Sequence, residues 1–485
     1  MQLFNEMVDG IYLACALAMG ATLIKPIITQ LNTSSNDIVT HKELNAYKGD
    51  TGYLISSNVR LSNKYSKEHV IVFGPTGVGK TSHIMKHNVQ NLTSGTVICT
   101  DPSGEIRKSI YRNDCEILCF NPLNPKESIG YDPLILCETE YEVRNIIETL
   151  LTNGFSSNGK VSGDMDKWVK LASPFLKLYA VYNFRYRKYT FSEMILRVLN
   201  APIKMKTFTM KEVKPQEPQK KIVFENGKIK SIPDTQSKLE RVPVIDTNSI
   251  EYEITETHAE DLIDEFYAFL RTMESPETLS SIQLTLNSGL ALFKDKNVQV
   301  VCNKKPFSFK KLREKNCILF IQIPENMSHY FAPLIAIFVQ QLMDNGMRDS
   351  KGKDIFFVLD ELCNIGYIPH LDRYLSTVRR YNIGIMGCTQ SINQLKSLYG
   401  EEDTRVILEN FNTRCAMSGL TETSDYFSNL LGTQLIEEPE NHNYKQEVIS
   451  KDEVRRLDEN KILIVCKNKR GVIDTLLPFF KIVEL

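Results

Sequence analysis

Short apolar runs that alternate with helical patterns recur in two separate parts of the chain. In the first part, buried strands are predicted at residues 69–73, 97–100 and 116–120. After residue 315 the same rhythm predicts strands at residues 317–323, 355–359, 383–388 and 462–466. Strands that alternate with helices are typical of a parallel sheet. The pattern therefore predicts an α/β fold whose sheet is assembled from two distant stretches of sequence.

The stretch between these two parts has a different pattern. Residues 139–314 contain long helical patterns, such as 166–185 and 258–273, and few strand signals. We predict a mostly helical domain inserted into the α/β fold. Within it, residues 203–250 carry ten Lys/Arg against six Asp/Glu, and four prolines. This segment is predicted to be a flexible basic loop, or alternatively a hairpin that turns at Asn226-Gly227. It either contacts DNA or a partner, or it is a solvated loop without a binding role.

The N-terminal segment is unusually apolar. Residues 11–24 form a run without a charge, and the apolar character continues to residue 28 if Lys25 is tolerated. A full membrane span needs roughly 20 residues. Residues 1–30 are therefore predicted to be a short membrane-associated segment, with a buried core helix as the alternative. Lysines that follow the run, Lys25, Lys42 and Lys48, place the bulk of the chain in the cytoplasm.

Overall charge and cysteine usage exclude some classes of protein. The chain has 58 Lys/Arg and 59 Asp/Glu, so it lacks the overall basic charge that would indicate a nucleic-acid partner. Any DNA contact would need a local basic patch or a pore lined by a few charges. Its 11 cysteines are scattered, Cys115 and Cys119 are the closest pair, and no C-x-x-C pair exists. Reduced thiols in a cytosolic domain are the expected state.

The clearest chemical motif follows the first predicted strand. Residues Gly74, Pro75, Thr76, Gly77, Val78, Gly79, Lys80 and Thr81 fit the pattern G-x-x-x-x-G-K-[ST]. Glycines let consecutive backbone N–H groups cradle phosphate oxygens, and the N-terminus of the following helix adds partial positive charge. Lys80 is expected to reach the β- and γ-phosphates, and the Thr81 hydroxyl to ligate Mg²⁺. We call residues 74–81 the P-loop.

An acidic pair follows the strand predicted at residues 355–359. That strand delivers Asp360 to the C-terminal edge of the sheet, where Mg²⁺ would be bound. Glu361 is placed to orient or deprotonate the attacking water, so the pair predicts ATP hydrolysis. Lys80 and Asp360 are 280 positions apart, which indicates a whole domain inserted between strands of one nucleotide-binding sheet.

Further motifs, in order along the chain, make the sequence similar to a known family. Residues 360–400 read DELCNIGYIPHLDRYLSTVRRYNIGIMGCTQSINQLKSLYG, and residues 101–105 read DPSGE. The chain resembles the TraG-like coupling proteins of conjugative type IV secretion systems over roughly residues 50–480, apart from 203–250. Ser103 stands where the family usually has Lys, which puts a charge-dependent role there in doubt.

The resemblance implies a RecA-like P-loop domain formed by residues 31–138 and 315–485, with an all-α domain inserted at residues 139–314. It implies an ATP- and Mg²⁺-dependent homo-hexamer at the bacterial inner membrane. Such a ring links single-stranded DNA with its relaxase, or protein cargo, to the secretion channel. It also implies that Gln390 senses the γ-phosphate or positions water. Arg379 is expected to act in trans as an arginine finger, with Arg380 as the rival.

Two other functions remain as alternatives. A double-stranded-DNA translocase of the chromosome-segregation type shares the motor, but favours a longer membrane region and a DNA-reading terminal domain. A protein-cargo receptor whose ATP site serves assembly more than transport is the second alternative. Stimulation of the ATPase by single-stranded DNA, or only by cargo protein or channel components, distinguishes the coupling protein from the receptor.

Overall fold

A nine-stranded sheet organises the α/β part of the protein in a computed structural model. The structure describes residues 41–155, 164–204, 206–213, 219–225, 228–234, 238–273, 275–436, 444–467 and 471–480. The membrane-associated segment predicted at residues 1–30 lies outside these ranges. Among the helices within them, none combines the length and apolar character needed to cross a bilayer.

The strands fall into one large sheet and several small ones. In chain order they are β1 Leu54–Ser56, β2 Val59–Arg60, β3 Val70–Phe73, β4 Gly95–Thr100, β5 Glu116–Phe120, β6 Lys206–Val213, β7 Gln219–Glu225, β8 Lys228–Asp234, β9 Lys238–Ile245, β10 Cys317–Ile321, β11 Asp354–Leu359, β12 Ile383–Thr389, β13 Thr413–Ala416, β14 Thr433–Ile436, β15 Tyr444–Glu447, β16 Lys461–Cys466 and β17 Val472–Thr475. The large sheet has the order β17-β16-β13-β3-β12-β11-β4-β10-β5. Neighbours from β13 to β5 are parallel, whereas β16 and β17 are antiparallel at the edge.

Continuous apolar runs explain the central strands. Every residue of β3, β4, β10 and β12 is buried, as expected for parallel strands covered on both faces. Alternate residues of one strand enter different cores: Ile71 and Phe73 pack on one face of the sheet, and Val70 and Val72 on the other. The predicted α/β fold with a parallel-rich sheet is confirmed.

Helices cover the sheet and form most of the chain between β5 and β10. Strands β5 and β10 are parallel neighbours, so this whole helical segment is the connection between two adjacent strands. The helix Ser328–Arg348 follows β10 and packs on the helix Glu140–Phe155. The α-helices are Asn63–Ser66, Lys86–Asn91, Glu105–Ser109, Pro133–Leu136, Glu140–Phe155, Asp164–Tyr186, Phe191–Asn200, Ile250–Thr255, Glu260–Arg271, Pro276–Gly289, Lys296–Asn303, Lys311–Glu314, Ser328–Arg348, Leu371–Val378, Ile392–Tyr399, Glu401–Glu409, Thr423–Leu431 and Lys451–Arg455.

The basic segment within the helical part contains paired strands. Strand β6 pairs with β9, and β7 pairs with β8, both antiparallel. Asn226 and Gly227, where the sequence predicts the turn, lie outside the described residues. The described backbone of residues 206–245 is therefore extended and paired, as in a hairpin, rather than irregular.

Candidate active site

The P-loop connects β3 to a helical segment that starts at Thr81. This segment begins with a π-type turn, Thr81–Met85, and continues as the α-helix Lys86–Asn91. Gly77 and Gly79 have φ values of 87° and 83°, a left-handed backbone that side chains disfavour. A Cβ atom at Gly79 would also overlap the His83 ring. The two glycines therefore allow the curved backbone that a phosphate cradle requires.

Two P-loop side chains have defined partners. The Lys80 ammonium donates to the carbonyl oxygens of Gly74 and Pro75, at 2.6 and 3.1 Å, so its charge lies against the loop. The Thr81 hydroxyl lies 2.9 and 3.0 Å from the two carboxylate oxygens of Asp360. Strand order separates β3 from β11 by β12 alone, which brings these two residues together at one edge of the sheet.

The environment of Asp360 suits a residue that meets a cation. Its backbone N–H donates to the Thr100 hydroxyl at 2.8 Å, which fixes the end of β11 to the end of β4. Burial raises the pKa of Asp360 to about 6, while the Thr81 hydrogen bond and Lys80 oppose the rise. Hydroxyl and carboxylate oxygens are ligands that Mg²⁺ accepts, so Thr81 and Asp360 fit the ion.

Glu361 is a buried carboxyl group beside Asp360. Its Oε1 atom has no hydrogen-bond partner among the described residues. Burial raises its pKa to about 7, and Lys80 opposes this rise while the charge of Asp360 adds to it. A buried oxygen that lacks a partner, on a group that titrates near neutral pH, has the properties of a general base.

Gln390 is held at the end of β12, next to this pair. Its backbone N–H donates to Gln394 Oε1 at 2.9 Å, and the Thr389 hydroxyl donates to the same oxygen at 2.8 Å. A hydrogen bond from Gln390 lowers the pKa of Glu361, so the two side chains are neighbours. The structure thus brings Lys80, Thr81 and Gln390 to one site with the acidic pair.

The DPSGE segment supports the same edge of the sheet. Asp101 accepts hydrogen bonds from the backbone N–H groups of Ile106 and Arg107, at 3.0 and 2.8 Å, and so caps the helix Glu105–Ser109. Glu105 forms an ion pair with the buried Lys86, which lies in the helix after the P-loop. Ser103 is exposed and its hydroxyl accepts from the Glu105 N–H at 3.2 Å.

Several residues of the site were missed from the sequence. Thr100 and Gln394 position site residues through single hydrogen bonds, and Lys86 carries the ion pair with Glu105. Gln394 is the second Gln of residues 390–394, which read QSINQ within the segment that carries the family resemblance, so the sequence did contain a signal for it. Thr100 and Lys86 carry no local signal, because their partners come from distant parts of the chain.

Arg379 and Arg380 lie away from the P-loop of their own chain. Both are exposed, in the turn Arg379–Tyr381 that precedes β12. The P-loop and Gln390 lie at the opposite end of the strands. At about 3.3 Å per residue, the length of β12 separates the two ends by roughly 20 Å. Neither arginine is therefore brought to the site within one chain.

Comparisons with known proteins agree on one family and one fold. A family model described as type IV secretory system conjugative DNA transfer matches residues 20–481. Protein VirD4 of Agrobacterium fabrum is 25% identical over 179 residues, which are 36% of this chain and 26% of that protein. The probable conjugal transfer protein TraG of Sinorhizobium fredii is 24% identical over 168 residues, 34% of this chain and 26% of that protein. The chain thus matches about a quarter of the length of these relatives.

Solved structures of a bacterial conjugative coupling protein, TrwB, share the fold. The unbound form lacking 70 N-terminal residues has a TM-score of 0.67 and 15% identity, covering 92% of this chain and 93% of that one. TrwB in complex with the ATP analogue ADPNP gives the same TM-score and identity, covering 92% of this chain and 94% of that one. The similarity extends over both the sheet and the helical part.

Proposed function

The chain belongs to the type IV secretory system conjugative DNA transfer family, and from this premise we propose that it is an ATP-hydrolysing coupling protein. The observation that carries the proposal is the contact between the Thr81 hydroxyl and both oxygens of Asp360, with Glu361 buried beside them. A P-loop with these partners supports hydrolysis rather than binding alone. TrwB, whose fold the chain shares, has been solved with ATP and GTP analogues and with ADP and Mg²⁺.

Each site residue has a role in the proposed reaction. Lys80 binds the β- and γ-phosphates, and Thr81 with Asp360 holds Mg²⁺. Mg²⁺, when bound, supplies positive charge that neutralises the phosphate oxygens. Glu361 accepts the proton of the attacking water, and Gln390 orients that water beside it. Arg379 then has to reach the site of a neighbouring subunit, which makes a homo-hexamer the proposed active form.

The proposed cargo is single-stranded DNA carrying a relaxase, delivered to the subunits of a type IV secretion channel. ATPase activity of the purified chain tests this when it is measured alone, with single-stranded DNA, with double-stranded DNA, and with cargo protein or channel components. Stimulation by single-stranded DNA is expected, because a motor of this class turns over fastest when it holds its cargo. Stimulation by double-stranded DNA alone supports the chromosome-segregation type of translocase. A response only to cargo protein or channel components supports the receptor.

We also propose that the protein works at the bacterial inner membrane, with its bulk in the cytoplasm. The support is the uncharged run at residues 11–24 and the lysines that follow it. A variant lacking residues 1–30 is expected to remain in the supernatant after cell lysis, while the full chain sediments with membranes until detergent is added. A full chain that stays in the supernatant without detergent contradicts the anchor.

A further inference from the structure

The C-terminal segment of the described chain, residues 476–480, lies along the helical segment that follows the P-loop. The Leu477 carbonyl oxygen lies 2.6 Å from His83 Nδ1, and the Pro478 carbonyl oxygen lies 2.8 Å from His87 Nε2. The Phe480 N–H donates to the Ser82 carbonyl oxygen at 3.1 Å. The segment is thus fixed at three of its five residues, Leu477, Pro478 and Phe480, to the first turns of the helical segment that follows Lys80.

His83 links this segment to the phosphate cradle. One side of its ring fills the space that a Cβ atom at Gly79 would need. The ring of Phe479 packs edge-on against it, with centroids 5.7 Å apart and an interplanar angle of 88°. Phe479 is therefore separated from the backbone of the P-loop by a single imidazole.

Phe479 carries the exposed aromatic ring of this segment. Leu476 and Leu477 are buried, and Phe480 packs against the core that contains Val70 and Val72, whereas Pro478 and Phe479 are exposed, Phe479 by 59%. Its backbone neighbours are held by hydrogen bonds, so the exposed ring is presented at a defined place. An exposed aromatic ring on a fixed backbone loses little conformational entropy when a planar ligand stacks on it, because the backbone is already ordered.

Strand order gives the direction in which a nucleotide would extend. Glu361 and Asp360 follow β11, which lies on one side of β3, across β12. The reacting γ-phosphate has to point toward these carboxylates. The rest of the nucleotide then extends to the other side of β3, where β13, β16 and β17 lie, and residues 476–480 follow directly from β17.

We propose that Phe479, supported by His83, is the nucleobase platform of the ATP site; this inference rests on the proposed nucleotide-binding function. Aromatic rings stack on any base through its π-face, so the platform holds purine nucleoside triphosphates without strong base preference. Binding energy from the base adds to that from the phosphates, which the P-loop holds independently.

Calorimetric titration of the full chain with ATP and with inorganic tripolyphosphate, both with Mg²⁺, tests the platform. Phe479→Ala is expected to weaken ATP binding roughly tenfold and to leave tripolyphosphate binding unchanged, because only ATP has a base. Phe479→Tyr keeps the ring and is expected to bind both ligands as the wild type does. Tyr141→Ala, which removes another exposed aromatic ring (72% exposed) from the distant helix Glu140–Phe155, is the matched control.

Two results overturn the proposal. Unchanged ATP affinity in Phe479→Ala shows that the ring does not meet the base, and equal weakening for ATP and tripolyphosphate shows that the substitution disturbs the P-loop instead. Failure of the proposed nucleotide function has a different signature, because the wild-type chain then binds neither ligand and Lys80→Ala changes nothing. GTP in place of ATP is expected to lose the same roughly tenfold in Phe479→Ala.

Discussion

At the scale of single residues, Glu361 combines a cost in stability with its proposed role in the reaction. Its pKa is raised from 4.5 to about 7 by burial. In the unfolded chain the pKa of this group is near 4.5. Between pH 4.5 and pH 7, therefore, the folded protein holds a proton that the unfolded chain has lost. Stability from this group is complete below pH 4.5 and is lost as the pH rises through 7. The ionised form of Glu361, which proton abstraction needs, therefore destabilises the folded state.

Glu361→Gln is therefore expected to stabilise the protein in a pH-dependent way. The amide does not titrate, so its gain over the wild type is small at pH 5 and reaches at most about 3 kcal/mol at pH 8. Urea unfolding without nucleotide at the two pH values measures the difference. A gain that is equal at both pH values contradicts a raised pKa. Glu459→Gln, at an exposed carboxylate that is not among the groups raising the pKa of Glu361, is the control and should change neither value.

Removing the two central side chains separates binding from hydrolysis. Lys80→Ala is expected to abolish turnover and weaken ATP binding, because it removes the charge that meets the phosphates. Glu361→Gln is expected to bind ATP normally and to hydrolyse it about a hundredfold or more slowly, the usual effect of losing a general base. Phosphate release and nucleotide titration on the same preparations measure both. Normal turnover in Glu361→Gln would falsify the assignment.

At the scale of elements, apolar runs predicted most strands of the large sheet, including the edge strand β5. Predictions at residues 69–73, 116–120 and 355–359 correspond to β3, β5 and β11, with ends that differ by one residue at most. Strands β13 and β17 were missed. Each has four residues and includes a polar or charged side chain, such as Arg414 or Asp474, so neither has the run that marks a buried strand.

Some residues of the candidate site could be predicted from local sequence motifs and others could not. The P-loop and the Asp-Glu pair each lie within a few consecutive residues, so spacing alone indicated them. Thr100 and the segment at residues 476–480 act through partners far away in the sequence, whereas Gln394 acts on Gln390, four residues before it. The contribution of Thr100 and of residues 476–480 depends on strand order. That β3 lies between β13 and β12 is a feature of the tertiary structure, which local sequence patterns do not encode.

Gly77 and Gly79 both have a left-handed backbone, but they differ in what an added side chain would contact. Gly77→Ala meets open space and is expected to cost about 1–2 kcal/mol through its positive φ alone. Gly79→Ala carries the same backbone strain and also overlaps the His83 ring, so it is expected to cost roughly 1–3 kcal/mol more. Thermal and urea unfolding of both variants measure the difference.

The double variant Gly79→Ala/His83→Ala isolates the overlap. Removing the ring is expected to reduce the cost of Gly79→Ala to that of Gly77→Ala, a coupling of at least about 1 kcal/mol. The same His83→Ala background should leave the cost of Gly77→Ala unchanged. Additive effects of Gly79→Ala and His83→Ala show that the ring moves aside without cost, and then His83 does not connect residues 476–480 to the cradle.

At the scale of the whole molecule, one sheet connects the two parts of the chain. Strands β3, β4 and β5 precede the helical part and β10 to β13 follow it, yet β10 lies between β4 and β5. Adjacent parallel strands need a crossover, and here the crossover is an entire helical unit. That unit is joined to β5 and β10, and β10 is hydrogen-bonded to β4, whose end carries Asp101.

The position of Arg379 predicts how the site is completed. One chain supplies Lys80, Thr81, Asp360 and Glu361 at one edge of its sheet, while its own Arg379 is exposed near the opposite edge, roughly 20 Å away. We expect that Arg379 of a neighbouring subunit supplies a further cation for the charge that builds on the transferred phosphoryl group. Arginine fingers of this kind raise turnover by about 10³ to 10⁵.

Mixing two inactive variants tests this arrangement. Arg379→Ala chains and Lys80→Ala chains are each expected to be inactive alone, because every interface lacks one of the two cations. In mixed rings, some interfaces pair the intact P-loop of one chain with the intact Arg379 of the next and regain turnover. Phosphate release as a function of mixing ratio should peak between the two pure samples. A mixture that stays inactive although mixed rings form, or normal turnover in Arg379→Ala alone, excludes Arg379 and leaves Arg380, the next exposed cation of the same turn, as the residue to test.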